Sequence, residues 1–163
     1  MPGDGPVRAT PFDELEFFRA IHKSGARALL IGRRALVLLG LPVLTADYDF
    51  WLAIDDIATF NAAAATMELT TTVTPDEARR RGRYVLENDE HVDVLVARSA
   101  PTIDGRPVVF EDLWRSRQRI ELTAGVHVEL PDIDGLILTK EMGGRPKDLE
   151  DIRLLRIRRE ENP

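Results

Sequence analysis

Apolar residues recur along this chain at two periods, helical and strand-like, and the switches between them predict its elements. In TPFDELEFFRAIHKSG, Phe12, Leu15, Phe18 and Ile21 return at helical spacing. Thr10 stands where an N-cap belongs, with Pro11 at the first helical position and Asp13 as the capping-box acid. Gly25 is a natural stop for that helix. ALLIG (28–32) is a short buried strand ended by Gly, and RRALVLLG (33–40) a short helix ended by Gly40. DYDFWLAI (47–54) alternates, placing Tyr48, Phe50, Leu52 and Ile54 on one face of a second strand. An Ala-rich helix follows over 55–69, capped by Asp55 or Asp56, and PDEARRRG (75–82) is a short helix that begins on Pro75. RYVLEN (83–88) and HVDVLVAR (91–98) read as a hairpin across Asn88–Asp89–Glu90. DGRPVVFEDLWRSR reads as a turn, a strand and one helical turn. RIELTAGVHVEL (119–130) reads as a second hairpin, broken at Ala124–Gly125. Two helices joined through Gly143–Gly144 close the chain, over 131–144 and 146–161. The sum is an α/β (α+β) chain: a small mixed sheet flanked by helices.

Composition narrows the class. At 163 residues the chain is expected to form a single domain, 1–163, with residues 1–10 as a flexible Pro/Gly leader that lacks the pattern of a secretory signal. No stretch is apolar enough for a transmembrane helix, so no membrane partner is expected. The absence of Cys excludes disulfides, thiol catalysis and cysteine zinc sites, and is compatible with the expected cytoplasmic location. His22, His91 and His127 are too dispersed to suggest a histidine metal site. A net charge of −6 argues against broad nucleic-acid coating but not against a local basic groove. Arginines cluster at 78–83, 115–119 and 153–159; the last set is flanked by Glu150, Asp151, Glu160 and Glu161 and reads as a solvated face.

The acids of TADYDFWLAID (45–55) carry the chemistry. In a strand, residues i and i+2 share a face, so Asp47 and Asp49 point the same way and repel each other. A hard divalent ion with oxygen ligands relieves that repulsion. Asp93 interrupts an apolar strand and needs a partner. If its strand lies beside 47–54, three carboxylates converge on a site suited to phosphoryl transfer. Bland roles remain open here: Asp47 as a turn residue, Asp49 at an exposed edge, Asp93 paired with an arginine. Gly32, between strand and helix, would bring backbone N–H groups toward an anion, or would simply permit a tight turn. A D-x-D pair also marks aspartate-nucleophile phosphatases, but there the acids follow the apolar strand and here they precede it.

LIGRRALVLLGLPVLTADYDFWL resembles the nucleotidyltransferase pattern of an apolar strand, Gly-Gly or Gly-Ser, a short helix, then Thr-x-Asp-hydrophobic-Asp. DGLILTKEMGGRPKDLEDI resembles the closing segment of AbiEii-type and related minimal nucleotidyltransferases of the DNA-polymerase-beta-like superfamily. The resemblance implies that Gly32 lines nucleotide phosphates, that Thr45 shapes the turn, and that Asp47, Asp49 and Asp93 hold Mg2+ or Mn2+. It implies that Lys140 reaches triphosphate or a nearby acid, and that Asp148 pairs with Lys140. Arg33 departs from the family, which has a small residue there; its side chain would either block the triphosphate or add a guanidinium contact. The implied activity moves a nucleoside monophosphate from an NTP to a hydroxyl of RNA, protein or a small molecule. Some relatives of this kind are toxins with antitoxin partners. The alternative is a protein of this fold, impaired by Arg33, that acts as a binding partner. With no separate substrate domain, the sheet's open face and the arginines at 78–83 and 115–119 would recognise the acceptor.

Overall fold

The structure, a computed structural model, describes residues 12–162; the expected leader, with Thr10 and Pro11, lies outside the described residues. Helix α1 spans Glu14–Ser24, and its N-cap is Asp13 rather than Thr10. The Asp13 carboxylate accepts the N–H of Glu16 at 3.1 Å, so the capping residue is itself the acid. Strand β1 (Ala28–Ile31), helix α2 (Gly32–Leu38) and strand β2 (Tyr48–Leu52) follow as the pattern predicts. Helix α3 (Ile57–Ala65) has Asp56 at its N-cap, but the side chain does not cap. It accepts the N–H of Arg27 at 2.9 Å instead, tying α3 to the approach to β1.

Helix α4 (Pro75–Arg81) is started by a reciprocal Thr74–Glu77 capping box. Strands β3 (Arg83–Glu87) and β4 (His91–Leu95) form the predicted hairpin. DGRPVVFEDLWRSR (104–117) contains the predicted strand, β6 (Pro107–Val109), and helical turn, α5 (Phe110–Arg115); β6 pairs with β5 (Ser99–Pro101), which the pattern did not predict. The second hairpin is β7 (Gln118–Thr123) and β8 (Val126–Leu130), and α6 (Ile133–Glu141) and α7 (Pro146–Glu161) close the chain.

The main sheet has the order β1-β2-β4-β3. Its β1–β2 and β3–β4 pairs are antiparallel and its central β2–β4 pair is parallel, so the sheet is mixed as the sequence predicts. Tyr48, Phe50 and Leu52 face α1 and α3 across a core rich in aromatic residues. The Phe17 ring meets Tyr48 and Phe50 edge-on, with centroids 5.6 and 5.9 Å apart. On the other face Leu29 and Trp51 pack against Val108, Phe110 and Leu113. The Trp51 indole N–H donates to the carbonyl of Ala97 at 2.8 Å, which satisfies its one donor in a buried place. Strand β2 is therefore covered on both sides over most of its length. Its N-terminal end, at Asp49, and the turn residue Asp47 just before it are the part left open; the strand is shorter than the predicted 47–54. Among the described residues, no helix is long and apolar enough to cross a membrane.

Candidate active site

Pairing of β2 with β4 sets the centre of the site. Asp49 and Asp93 are register partners on these parallel strands. Direct neighbours stand about 4.8 Å apart across a sheet and on one face. Val85 of β3 continues the same row, and Ile31 of β1 stands opposite Asp49 on the other side. Gly32 follows Ile31 with φ +71, and a Cβ built on it would lie 2.5 Å from Asp49 Oδ2. Gly32 is thus required twice, for its backbone conformation and for the room it gives Asp49.

The turn before Asp49 is tied down locally. The Asp47 N–H donates to Thr45 Oγ1 at 3.1 Å. Arg34 donates to the carbonyls of Thr45 and Asp47 at 3.3 and 3.4 Å. Its guanidinium lies 4.2 Å from the Tyr48 ring centroid and pairs with Glu14 at 3.5 Å. Sequence reading overlooked Arg34, although a long cation one turn into a helix before an acidic loop is a usable signal.

Gly32, Arg33, Thr45, Asp47, Asp49, Asp93, Lys140 and Asp148 all line one open cleft of about 740 Å³. Arg81 and Arg83 line it too, as do Thr70–Val73, Arg145 and Lys147. Of the two arginine segments expected near an acceptor, 78–83 reaches the cleft and 115–119 does not. Arg117 and Arg119 both pair with Glu129 of β8, at 3.1 and 2.7 Å, beside a smaller cavity elsewhere.

Asp148 of α7 carries a role other than the one the resemblance implies. Asp148 does not pair with Lys140. It accepts from the N–H groups of Gly144 and Arg145, at 3.2 and 3.1 Å, and from Arg145 Nε at 2.9 Å. This closes the Gly143–Gly144 turn onto the start of α7. Lys140 pairs instead with Asp151, Nζ to Oδ2, at 2.9 Å. Asp151 is fully buried and also meets Arg33, whose Nε is 3.2 Å from Oδ2 and whose Nη2 is 3.1 Å from Oδ1. The second distance makes an ion pair, but its angle leaves Oδ1 without a hydrogen bond. Asp151, which holds two cleft-lining cations from behind, is a further residue that sequence reading missed.

Electrostatics single out Asp49. Burial raises its pKa above the ordinary carboxylate range, and the charges of Asp93 and Asp47 add to the rise, against Lys140 and Lys147. Asp93 faces His91 on its own strand, with Nε2 3.1 Å from Oδ2, and the other ring nitrogen lies 3.4 Å from Glu87. Burial disfavours the charged ring of His91, yet Asp93 and Glu87 outweigh it and the pKa rises. An all-oxygen donor set beside a destabilised carboxylate suits a hard divalent cation in its chemistry. Among the described residues, however, no three His, Cys, Asp or Glu side chains close on a common point as a ready metal cage.

No protein-family model and no curated protein sequence matches the chain. Solved structures do. TM1012 of Thermotoga maritima, a candidate nucleotidyltransferase, superposes with a TM-score of 0.57 at 15% identity, over 84% of this chain and 86% of that one. The antibiotic-resistance factor ANT(2'')-Ia superposes with a TM-score of 0.57 at 16% identity, over 86% of this chain and 78% of that one. Its complex with adenylyl-2''-tobramycin gives the same TM-score and identity, over 83% of that chain. This chain has the nucleotidyltransferase fold, as its two sequence segments imply.

Proposed function

We propose that the protein is a metal-dependent nucleotidyltransferase that moves a nucleoside monophosphate from an NTP to an acceptor hydroxyl. The observation that carries this reading is the side-by-side placement of Asp49 and Asp93 on one sheet face, next to Gly32 and opposite the cations of α6 and α7. In this reading Asp47, in the turn just before β2, and Asp49, within the strand, hold the ion. Asp93 lies on the neighbouring strand, either as a further ligand or as the acceptor of the attacking hydroxyl's proton. Lys140, Arg145 and Lys147 line the wall that would face the triphosphate. A Mg2+ or Mn2+ ion, when bound, would screen the negative charge of the phosphates. The acceptor oxygen bonds to the α-phosphorus as the α–β bridging bond breaks, and pyrophosphate leaves with the electron pair.

Arg33 is drawn toward Asp151 rather than across Gly32, which favours this reading over a blocked nucleotide site. The closing segment supports an AbiEii-type toxin with a protein antitoxin. The acceptor hydroxyl belongs in this reading to RNA, protein or a small molecule. The test is incubation with each NTP, Mg2+ and candidate acceptors. A labelled acceptor and released pyrophosphate are expected from wild type and not from Asp49→Asn; no product with any NTP overturns the proposal.

A further inference from the structure

Two cations that line the cleft, Arg33 and Lys140, share one carboxylate buried behind its wall, Asp151. Asp151 has no exposed side-chain surface, Lys140 has 7% and Arg33 has 23%, so the three charges sit together largely away from water. Their sum is one positive charge with no anion of its own inside the group. Arg33 and Lys140 reach Asp151 from different elements, the first turn of α2 and the last turn of α6. Both cations line the cleft that also contains Asp49. Lys140 is near enough to Asp49 to lower its pKa.

A lone Lys–Asp pair in this place would be neutral, and its ammonium would be held by the whole carboxylate charge. A second cation on the same carboxylate divides that hold. We propose that Arg33 is a positioning residue for an anionic ligand: by sharing Asp151 it leaves the Lys140 ammonium available to a polyphosphate in the cleft. This inference deepens the nucleotidyl-transfer reading and gives a role to the residue that departs from the small side chain of the resembled family. It also opposes the idea that Arg33 obstructs the site. The two ideas predict opposite outcomes for its removal.

The test uses the full chain and inorganic tripolyphosphate as probe, with binding read by titration calorimetry and folding checked by near-UV circular dichroism. Arg33→Ser is expected to weaken tripolyphosphate at least tenfold, and Arg33→Lys to stay within about threefold of wild type, because the proposed effect is that of a second positive charge beside Asp151. In an Asp151→Asn background the Arg33→Ser change should lose its effect, since no carboxylate remains to be shared. If Asp151→Asn does not fold, Lys140→Met serves as the second background, with the same expectation. Equal or tighter binding by Arg33→Ser overturns the inference, as does a full Arg33→Ser effect in the second background, which would mark a direct phosphate contact. No tripolyphosphate binding by wild type also overturns it. A wild-type protein that binds tripolyphosphate as expected but yields no labelled product with any NTP would sink the transfer reading and leave this inference standing. With an active enzyme, Arg33→Ser should raise KM for the NTP tenfold or more and change kcat less than threefold. A loss of folded fraction alone would not produce that split.

Discussion

Replacing Gly32 by Ala perturbs the backbone and the central carboxylate together. The φ of +71 costs a residue with a Cβ about 1–2 kcal/mol. The new Cβ would also press on Asp49, which must retreat from 2.5 Å to the 3.4 Å of ordinary contact, about 0.9 Å. A displacement of ~1 Å in a reacting group costs roughly 10²-fold in rate. Gly25→Ala is the matched control. Its φ is +78, and an added Cβ there meets nothing within 4 Å. Gly25→Ala should lose only the backbone term, a fall in Tm of about 2–8 °C for a chain of this size. Gly32→Ala should lose that and more, and its nucleotidyl transfer should drop about 10²-fold while Gly25→Ala stays active. The assay is thermal unfolding of all three proteins alongside product formation. Gly32→Ala with the Tm of Gly25→Ala and wild-type turnover would refute the coupling between Gly32 and Asp49.

Three other outcomes are expected. In chelated protein Asp49→Asn should melt higher than wild type at neutral pH. Burial, Asp93 and Asp47 raise the Asp49 pKa on folding, so its ionised form opposes the fold; the penalty is absent below the unfolded value near ~3.9 and grows as pH rises through the folded value. A lower Tm for Asp49→Asn at pH 7 would contradict this, and the difference should shrink toward pH 4. Asp148 behaves oppositely. Burial raises its pKa, but Arg145 and the N–H groups of Gly144 and Arg145 outweigh burial and the net shift is downward. Its stabilisation is complete above the unfolded value and is lost as pH falls through the lower folded value. Asp148→Asn should flatten the acid limb of the stability curve, and an unchanged limb would remove Asp148 from the account. Phe17→Ala empties the centre of the aromatic core and should cost about 3–5 kcal/mol in denaturant unfolding; a loss under 1 kcal/mol would mean the α1 contact is not structural.

Much of this molecule is readable from local pattern. The apolar run around Asp93 marks a strand, and the alternation after Asp47 marks β2, although Asp47 itself falls in the turn before that strand and reaches the cleft from there. The meeting of Asp49 with Asp93 depends on β4 pairing with β2 in that register, a long-range choice that sequence could state only as a condition. Asp151 was lost among the charges of 146–161. Yet the buried residues of α7 are Asp148, Asp151, Ile152 and Leu155, the i, i+3, i+4, i+7 stripe of an inward face. Acids on such a stripe need cations, and reading the stripe rather than the charge run would have exposed the carboxylate behind the cleft wall. The partners of Lys140 and of Arg117 and Arg119 were settled by packing between distant elements. The resemblance put Asp148 beside the first and an acceptor beside the others, and carried no trace of either true partner.

The most direct test of the central claim is incubation of wild type and Asp49→Asn with each of the four NTPs, radiolabelled in the α-phosphate, together with Mg2+ and total RNA, protein or metabolite extract. A labelled product is expected from wild type with at least one NTP, with stoichiometric pyrophosphate, and neither from Asp49→Asn. No label from wild type with any NTP, or equal label from Asp49→Asn, would contradict that claim.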